Sequence, residues 1–340
     1  MGRQSARMWF DEYDHKDIYF DGHYHKQMYL SDESKNLTLL WEKLAEVVGF
    51  QFTLRTSNSG TFQVKGNITI DWGNGTVKEY SYSELTLIIP PYDTSESGVK
   101  TVTISGNLFD ISFKNTYGLI QVLTPFPETM SAKENFSYCF YQCEDLISVP
   151  EDLFINCPNA INFGLAFYYV HDLEVPENLF STCFNAENFV GCFNGLYTSI
   201  PENLFKNCIN ATNFQGCFRN SRIGTFPDNL FAYNTKATSF KECFYNSRIT
   251  KIPSNMFGDN ENLETVENCF GYCSNLITVR EDVFDGCPNI INFNSAFYNC
   301  KGITSAVPEL WNRTNVTDSE NCFYYCINAE NYSDIPSEWR

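Results

Sequence analysis

A small residue followed by phenylalanine returns at positions 139, 166, 192, 217, 243, 269, 296 and 322 of this 340-residue chain, as Cys-Phe or Ala-Phe, at intervals of 25 to 27. A second mark keeps the same phase. Proline stands at Pro150, Pro176, Pro201, Pro227, Pro253, Pro308 and Pro336, and Arg280 replaces it once. Eight copies at so regular a spacing are one supersecondary unit repeated, and such a unit buries its apolar face only against its neighbours. The array covers 131–340.

Each copy holds two similar halves, Phe140-x-x-Cys143-x-x-Leu146-x-x-Val149 and Phe154-x-x-Cys157-x-x-Ala160-x-x-Phe163. An i, i+3 apolar pair suits one inward face of a short helical or 3₁₀ turn, and the apolar residues after it suit a short strand or extended segment. Pro150-Glu-Asp-Leu-Phe154 reads as a helix start, because proline lacks the N–H that would have no partner there and acidic residues favour that end of the dipole. Asn156, Asn185, Asn207, Asn210 and Asn289 are placed to satisfy backbone groups in the bends.

All 14 cysteines lie between Cys139 and Cys326. They follow the repeat and exchange with Ala, Ser, Val or Leu at equivalent positions, which is the behaviour of a small core hydrophobe. Free thiols are expected ahead of disulfides. Metal sites come last, since no paired C-x-x-C has zinc-finger spacing.

The half-unit [Cys/Ala]-Phe-x-x-Cys-x-x-Leu-x-x-Val-Pro, with Cys269-Phe-Gly-Tyr-Cys-Ser-Asn-Leu276 and Ser295-Ala-Phe-Tyr-Asn-Cys300 as its closest instances, resembles the BspA-like class of leucine-rich repeats. It departs from that class in its longer period and its doubled Phe-x-x-Cys unit. The resemblance implies a surface adhesin or ligand-binding module.

Residues 49–125 read as a small β domain. Phe50–Leu54, Gly66–Trp72 and Lys100–Ser105 alternate apolar and polar, and Gly73-Asn74-Gly75 signals a tight turn. Ile70-Asp-Trp-Gly-Asn-Gly75 resembles the W-G-D-G core of PKD-like immunoglobulin-type domains, with Asn74 where those carry Asp; the resemblance implies a β-sandwich. Thr124-Pro-Phe-Pro127 reads as the exit linker. Residues 1–48 read as an attachment segment with two short strands joined at Gly22. Its string from Ala6-Arg-Met-Trp-Phe to Leu40-Trp-Glu-Lys-Leu44 is similar to N-terminal segments of tail proteins in phages of gut bacteria, which implies a virion tail and homotrimers.

The expected fold is thus β-rich and multidomain. An N-terminal docking segment (1–48) and an Ig-like β-sandwich (49–125) precede a leucine-rich-repeat-like solenoid (131–340) of eight repeats with short helical or 3₁₀ turns.

With 41 acidic against 23 basic residues the net charge is −18, which repels phosphate backbones and argues against nucleic acid as partner. No apolar run reaches spanning length and no secretory signal is read at the N-terminus, so neither membrane insertion nor export by a signal peptide is expected. Glu151, Glu177, Glu202, Asp228 and Glu281 recur one per repeat, a solubilising row; a general acid and base need two carboxylates in different environments at one spot. His23 and His25 share a strand face, but are read as surface or interface histidines and not as metal ligands. His171 occupies a variable loop position. No catalytic residue, metal or cofactor is assigned.

The positions after each Cys-Phe or Ala-Phe pair hold Tyr141, Tyr168, Tyr169, Arg219, Tyr245, Tyr272, Tyr298, Tyr324 and Tyr325. Stacked, they form either a ligand-binding stripe or a cover for the core edge, since tyrosine offers contact area with a polar tip at little entropic cost. The functional expectation is a non-enzymatic phage tail receptor-binding protein. It would read a host surface glycan or protein with 131–340 and meet other tail proteins through 1–48. The alternatives are a BspA-like adhesin at the bacterial cell surface and a glycan depolymerase.

Overall fold

The computed structural model describes residues 18–20, 23–25, 49–57, 59–93, 95 and 97–340. The chain divides into two compact units, Met1–Val48 and Gly49–Arg340. In the first, β1 (Ile18–Phe20) and β2 (His23–His25) pair antiparallel, with Tyr19 opposite Tyr24.

In the second unit, β3 (Phe50–Arg55), β4 (Phe62–Asp71), β5 (Val77–Ile88), β6 (Val99–Ser112) and β7 (Leu119–Val122) form one antiparallel sheet in the order β5-β4-β6-β3-β7. Alternation in β4 buries Phe62, Val64, Ile68 and Ile70 on one face. The β4–β5 hairpin turns at Gly73 (φ 68°) and Gly75 (φ 87°), where the Asp71 and Asn74 carboxyl and amide oxygens accept from the backbone N–H groups of Gly73 and Thr76. The Ig-like sandwich is therefore corrected: the described residues of Gly49–Arg340 hold one five-stranded sheet and no second sheet. What covers the inner face is the phenylalanine core of the repeat region. Phe50 meets Phe126 at 5.3 Å, and Phe113 stacks on Phe140 at 5.5 Å. The expected linker is part of that contact, since Phe126 is fully buried and its N–H donates to the Leu153 carbonyl.

The leucine-rich-repeat solenoid with a strand and a helical or 3₁₀ turn in each repeat is corrected too. Among the described residues the helical elements are four three-residue 3₁₀ helices, at Glu128–Met130, Leu310–Asn312, Tyr332–Asp334 and Ser337–Trp339, and no strand follows Val122. Pro150 begins a single turn, closed by Leu153 N–H on its carbonyl, and not a helix.

The reason lies in the backbone. Cys139, Tyr141 and Cys143 donate to the carbonyls of Phe136, Tyr138 and Phe140 within the segment, whereas Phe136, Tyr138, Phe140 and Gln142 donate to Asn162, Gly164, Ala166 and Tyr168 in the next. Tyr138 (φ 60°) and Gln142 (φ 55°) are left-handed, the third-residue geometry of type II turns. A left-handed residue every fourth position cannot belong to a 3₁₀ helix, and alternate donation leaves each segment only isolated parallel bridges. These run Asn135, Asn162, Asn188, Asn213, Ser239, Thr265, Asn292 and Asp318, each paired with the next.

Side chains hold the segments in register. Phe140, Phe167, Phe193, Phe218, Phe244, Phe270, Phe297 and Phe323 form one column with centroids 5.1 to 5.9 Å apart and planes within 15°. Each buried Phe contributes roughly 1.5–3 kcal/mol. Asn156, Asn185, Asn207, Asn210 and Asn289 all donate to a backbone carbonyl of the preceding segment. The 14 cysteines are free and buried. Burial pushes the Cys139, Cys157 and Cys326 thiols up to about 12.

Candidate binding site

The two left-handed residues of each segment bracket the Cys-Phe or Ala-Phe pair, and the residue between the phenylalanine and the second of them is partly exposed in six of the eight segments, Asn194 and Gly271 being buried. Tyr141, Tyr168, Arg219, Tyr245, Tyr298 and Tyr324 hold that position in the six; Tyr169 (φ 58°), Tyr272 (φ 62°) and Tyr325 (φ 62°) are left-handed residues in the adjoining column. Hydrogen bonds between neighbouring segments, such as Tyr272 N–H to the Tyr298 carbonyl at 2.7 Å, set the ring spacing.

The nine residues nominated from sequence form two groups, not one stripe. In the C-terminal group, Tyr245, Tyr272, Tyr298 and Tyr324 follow one another at 5.2, 5.3 and 5.4 Å, and Tyr325 lies 4.3 Å from Tyr324. Arg219 begins this group with its guanidinium 4.4 Å from the Tyr245 ring, and it is ion-paired with Glu242. In the N-terminal group, Tyr141 stacks on Tyr168 at 4.8 Å and 6°, and Tyr168 meets Tyr169 at 4.6 Å. Asn194 and Gly195 take the corresponding positions between the groups and break the aromatic run.

Tyr272 and Tyr325 are 40% and 45% exposed, and the other nominated rings are half-buried. The rings are thus partly enclosed by one another and partly open to solvent. Burial, and then the neighbouring Tyr169 and Tyr141, raise the Tyr168 phenol; burial and then Tyr272 raise Tyr245 and Tyr298. For Tyr324 the hydrogen bond with Tyr325 is the leading cause of its rise. These hydroxyls stay protonated well past neutrality, so they present neutral donors and acceptors.

Sequence reasoning missed a third column. Tyr169 leads to His171 at 5.3 Å, His171 stacks on Tyr197 at 4.5 Å and 12°, and the Arg222 guanidinium lies 4.1 Å from the Tyr197 ring. His171 Nδ1 is 2.7 Å from the Gly195 carbonyl, which fixes its ring. A loop position in one copy thus becomes part of a column, and the signal was available: the residue after Val170, Leu196, Ser221 and Ser247 is His, Tyr, Arg and Arg. Tyr138, 39% exposed and 5.4 Å from Tyr141, was missed because it precedes the cysteine.

The row Glu151, Glu177, Glu202, Asp228 and Glu281 is exposed, with Glu151 and Glu177 accepting from the side chains of Asn178 and Asn203. Among the described residues no group of three or more His, Cys, Asp or Glu is disposed to hold a metal, and no helix is long and apolar enough to cross a membrane. The side chains of His23 and His25 lie outside the described residues. Comparison of the chain with protein-family models, with curated proteins and with solved structures finds no match in any of the three.

Proposed function

We propose that this chain is a non-enzymatic binding protein that attaches to a bacterial surface ligand through its tyrosine columns, in the setting of a phage tail. One observation carries the binding part: four successive rings, Tyr245, Tyr272, Tyr298 and Tyr324, repeat at 5.2 to 5.4 Å in neighbouring segments, each at least partly exposed. A row of rigid amphipathic rings at constant spacing suits an extended ligand that lies along it, such as a glycan chain or an extended peptide. The carboxylate row is exposed and recurs once per repeat with no partner in a different environment, which favours binding over glycan cleavage. The tail setting rests on the resemblance of residues 6–44, through which the chain would meet other tail proteins and copies of itself.

The test is a triple variant, Tyr245→Ala, Tyr298→Ala and Tyr324→Ala, assayed for binding to host cells and to arrayed host glycans, with near-ultraviolet circular dichroism as the folding check. Binding falls at least tenfold while the fold persists. Unchanged binding by a folded variant removes the proposal. In the tail setting, purified chain added to host cells lowers phage adsorption; cell binding without such competition favours the adhesin alternative.

A further inference from the structure

Beside the break between the two tyrosine groups lies a groove of about 500 Å³ lined by Tyr197, Ser221, Arg222, Asn246, Arg248 and Tyr272, among others. Its chemistry runs against that of the chain. The protein carries 41 acidic residues against 23 basic ones, yet no acidic residue lines this groove and two arginines do. Arg219, by contrast, is neutralised by Glu242, while Arg222 and Arg248 make no ion pair among the described residues.

The feature is built by a repeated string. Asn220-Ser-Arg-Ile223 and Asn246-Ser-Arg-Ile249 are identical and one repeat apart. Ile223 and Ile249 are buried and anchor the two strings, and Arg248 N–H donates to the Ser221 carbonyl, which sets them side by side. Asn246 Nδ2 donates to Asn220 Oδ1 at 2.9 Å. At the serine position the other segments carry Cys143, Val170, Leu196, Cys273, Cys300 and Cys326, all apolar and buried. Serine replaces them only in the two segments that bear the arginines. Ser247 pairs with the Cys273 thiol at 3.4 Å, but the hydroxyl of Ser221, 1% exposed, has no hydrogen-bond partner within the protein. A buried hydroxyl without a partner is costly for stability, so serine is not placed in these two segments for packing alone.

We propose that this groove is an anion subsite that takes a carboxylate or phosphate group of the ligand bound along the tyrosine columns. Guanidinium groups match both oxyanions through paired N–H donors. Arg222 is held in place by the Tyr197 ring, and Tyr272, 40% exposed, gives the adjoining sugar or backbone an apolar surface. The subsite rests on the binding function proposed above and gives it a chemical class: an acidic polymer and not a neutral one.

Isothermal titration of the full chain with three probes tests this: an oligogalacturonate, an oligomer of glycerol phosphate, and a neutral cello-oligosaccharide of equal length. One anionic probe binds at least tenfold more tightly than the neutral one, and which of them does so identifies the oxyanion. That binding weakens at least tenfold in the Arg222→Gln/Arg248→Gln variant and weakens with added salt; both side chains are exposed, and a thermal melt checks the fold. Equal binding of all three probes, or of the variant and the parent, overturns the subsite. Host-cell binding separates the two proposals. If the double arginine variant binds cells fully while the triple tyrosine variant does not, the subsite falls and the tyrosine reading stands. If neither variant loses cell binding, both fall.

Discussion

The sheet of β3 to β7 and the region after it share one hydrophobic core but satisfy their backbones in different ways. In the sheet, hydrogen bonds run between long strands; β4 alone pairs over nearly its whole length with both β5 and β6. Beyond Val122, donors alternate between the residue's own segment and the next, and regular secondary structure all but vanishes. The sheet exposes apolar residues, among them Val77, Leu85 and Leu87 of β5. The repeat region encloses an aromatic core. The lesson is that order need not follow from strand or helix: turn hydrogen bonds suffice when each segment adds the same ring to the same column.

That contrast can be broken by mutation. Phe205 meets six other rings, those of Phe180, Phe189, Phe193, Phe214, Phe218 and Phe231. Phe205→Ala costs about 3–5 kcal/mol by urea denaturation, the range for removing a large core aromatic. A loss below about 1 kcal/mol, the level of an ordinary surface change, shows that the columns do not support the region.

A smaller loss is expected from the sheet. Gly66 (φ 150°) sits at the irregularity between Val64 and Gly66, and a Cβ there lies 2.1 Å from the Asn107 carbonyl oxygen. Gly66→Ala therefore costs about 1–3 kcal/mol. Amide exchange quickens in β4 and β6 and changes little in segments near Cys269. Uniform quickening throughout Gly49–Arg340 makes the sheet and repeats one cooperative unit.

Alkali sharpens the comparison further, because cysteine occurs only after the sheet. Thiols that titrate near 9.0 when unfolded are pushed to about 12 in the fold at Cys139 and Cys157, and to about 11 at Cys273, by burial. The folded state then keeps protons that the unfolded state releases. Their stabilising contribution is whole below pH 9 and is lost as pH rises through the folded values, by about 1.4 kcal/mol per pH unit for each such thiol. Denaturation midpoints measured from pH 8 to 11 fall, and Cys157→Ala lessens the slope. A flat profile means the thiols are not enclosed as described.

Several elements were legible from residues alone. Alternation located β3, the core of β4 and part of β6, and the glycine pair around Asn74 located the turn that leads from β4 into β5. The exchange of Cys with Ala, Val and Leu announced free buried thiols. Less legible was the turn geometry, because an i, i+3 apolar pair fits a 3₁₀ turn and a run of type II turns equally well. The two differ in the sign of φ at one residue, and Tyr138, Gln142 and Leu165 do not advertise a left-handed backbone as glycine would. The nominated positions fall in two groups and not in one stripe, because Asn194 and Gly195 interrupt the run. His171, Tyr197 and Arg222 entered only when three copies were set side by side.

Period, apolar positions and the place of every cysteine are properties of the one-dimensional string, and they dictate which side chains must leave water together. Whether the second face of the sheet met another sheet or an aromatic core, and which exposed residues came to share a groove, depended on contacts between residues a full repeat or more apart. Such contacts are set by hydrogen bonds and ring packing between segments, whose geometry no single copy contains.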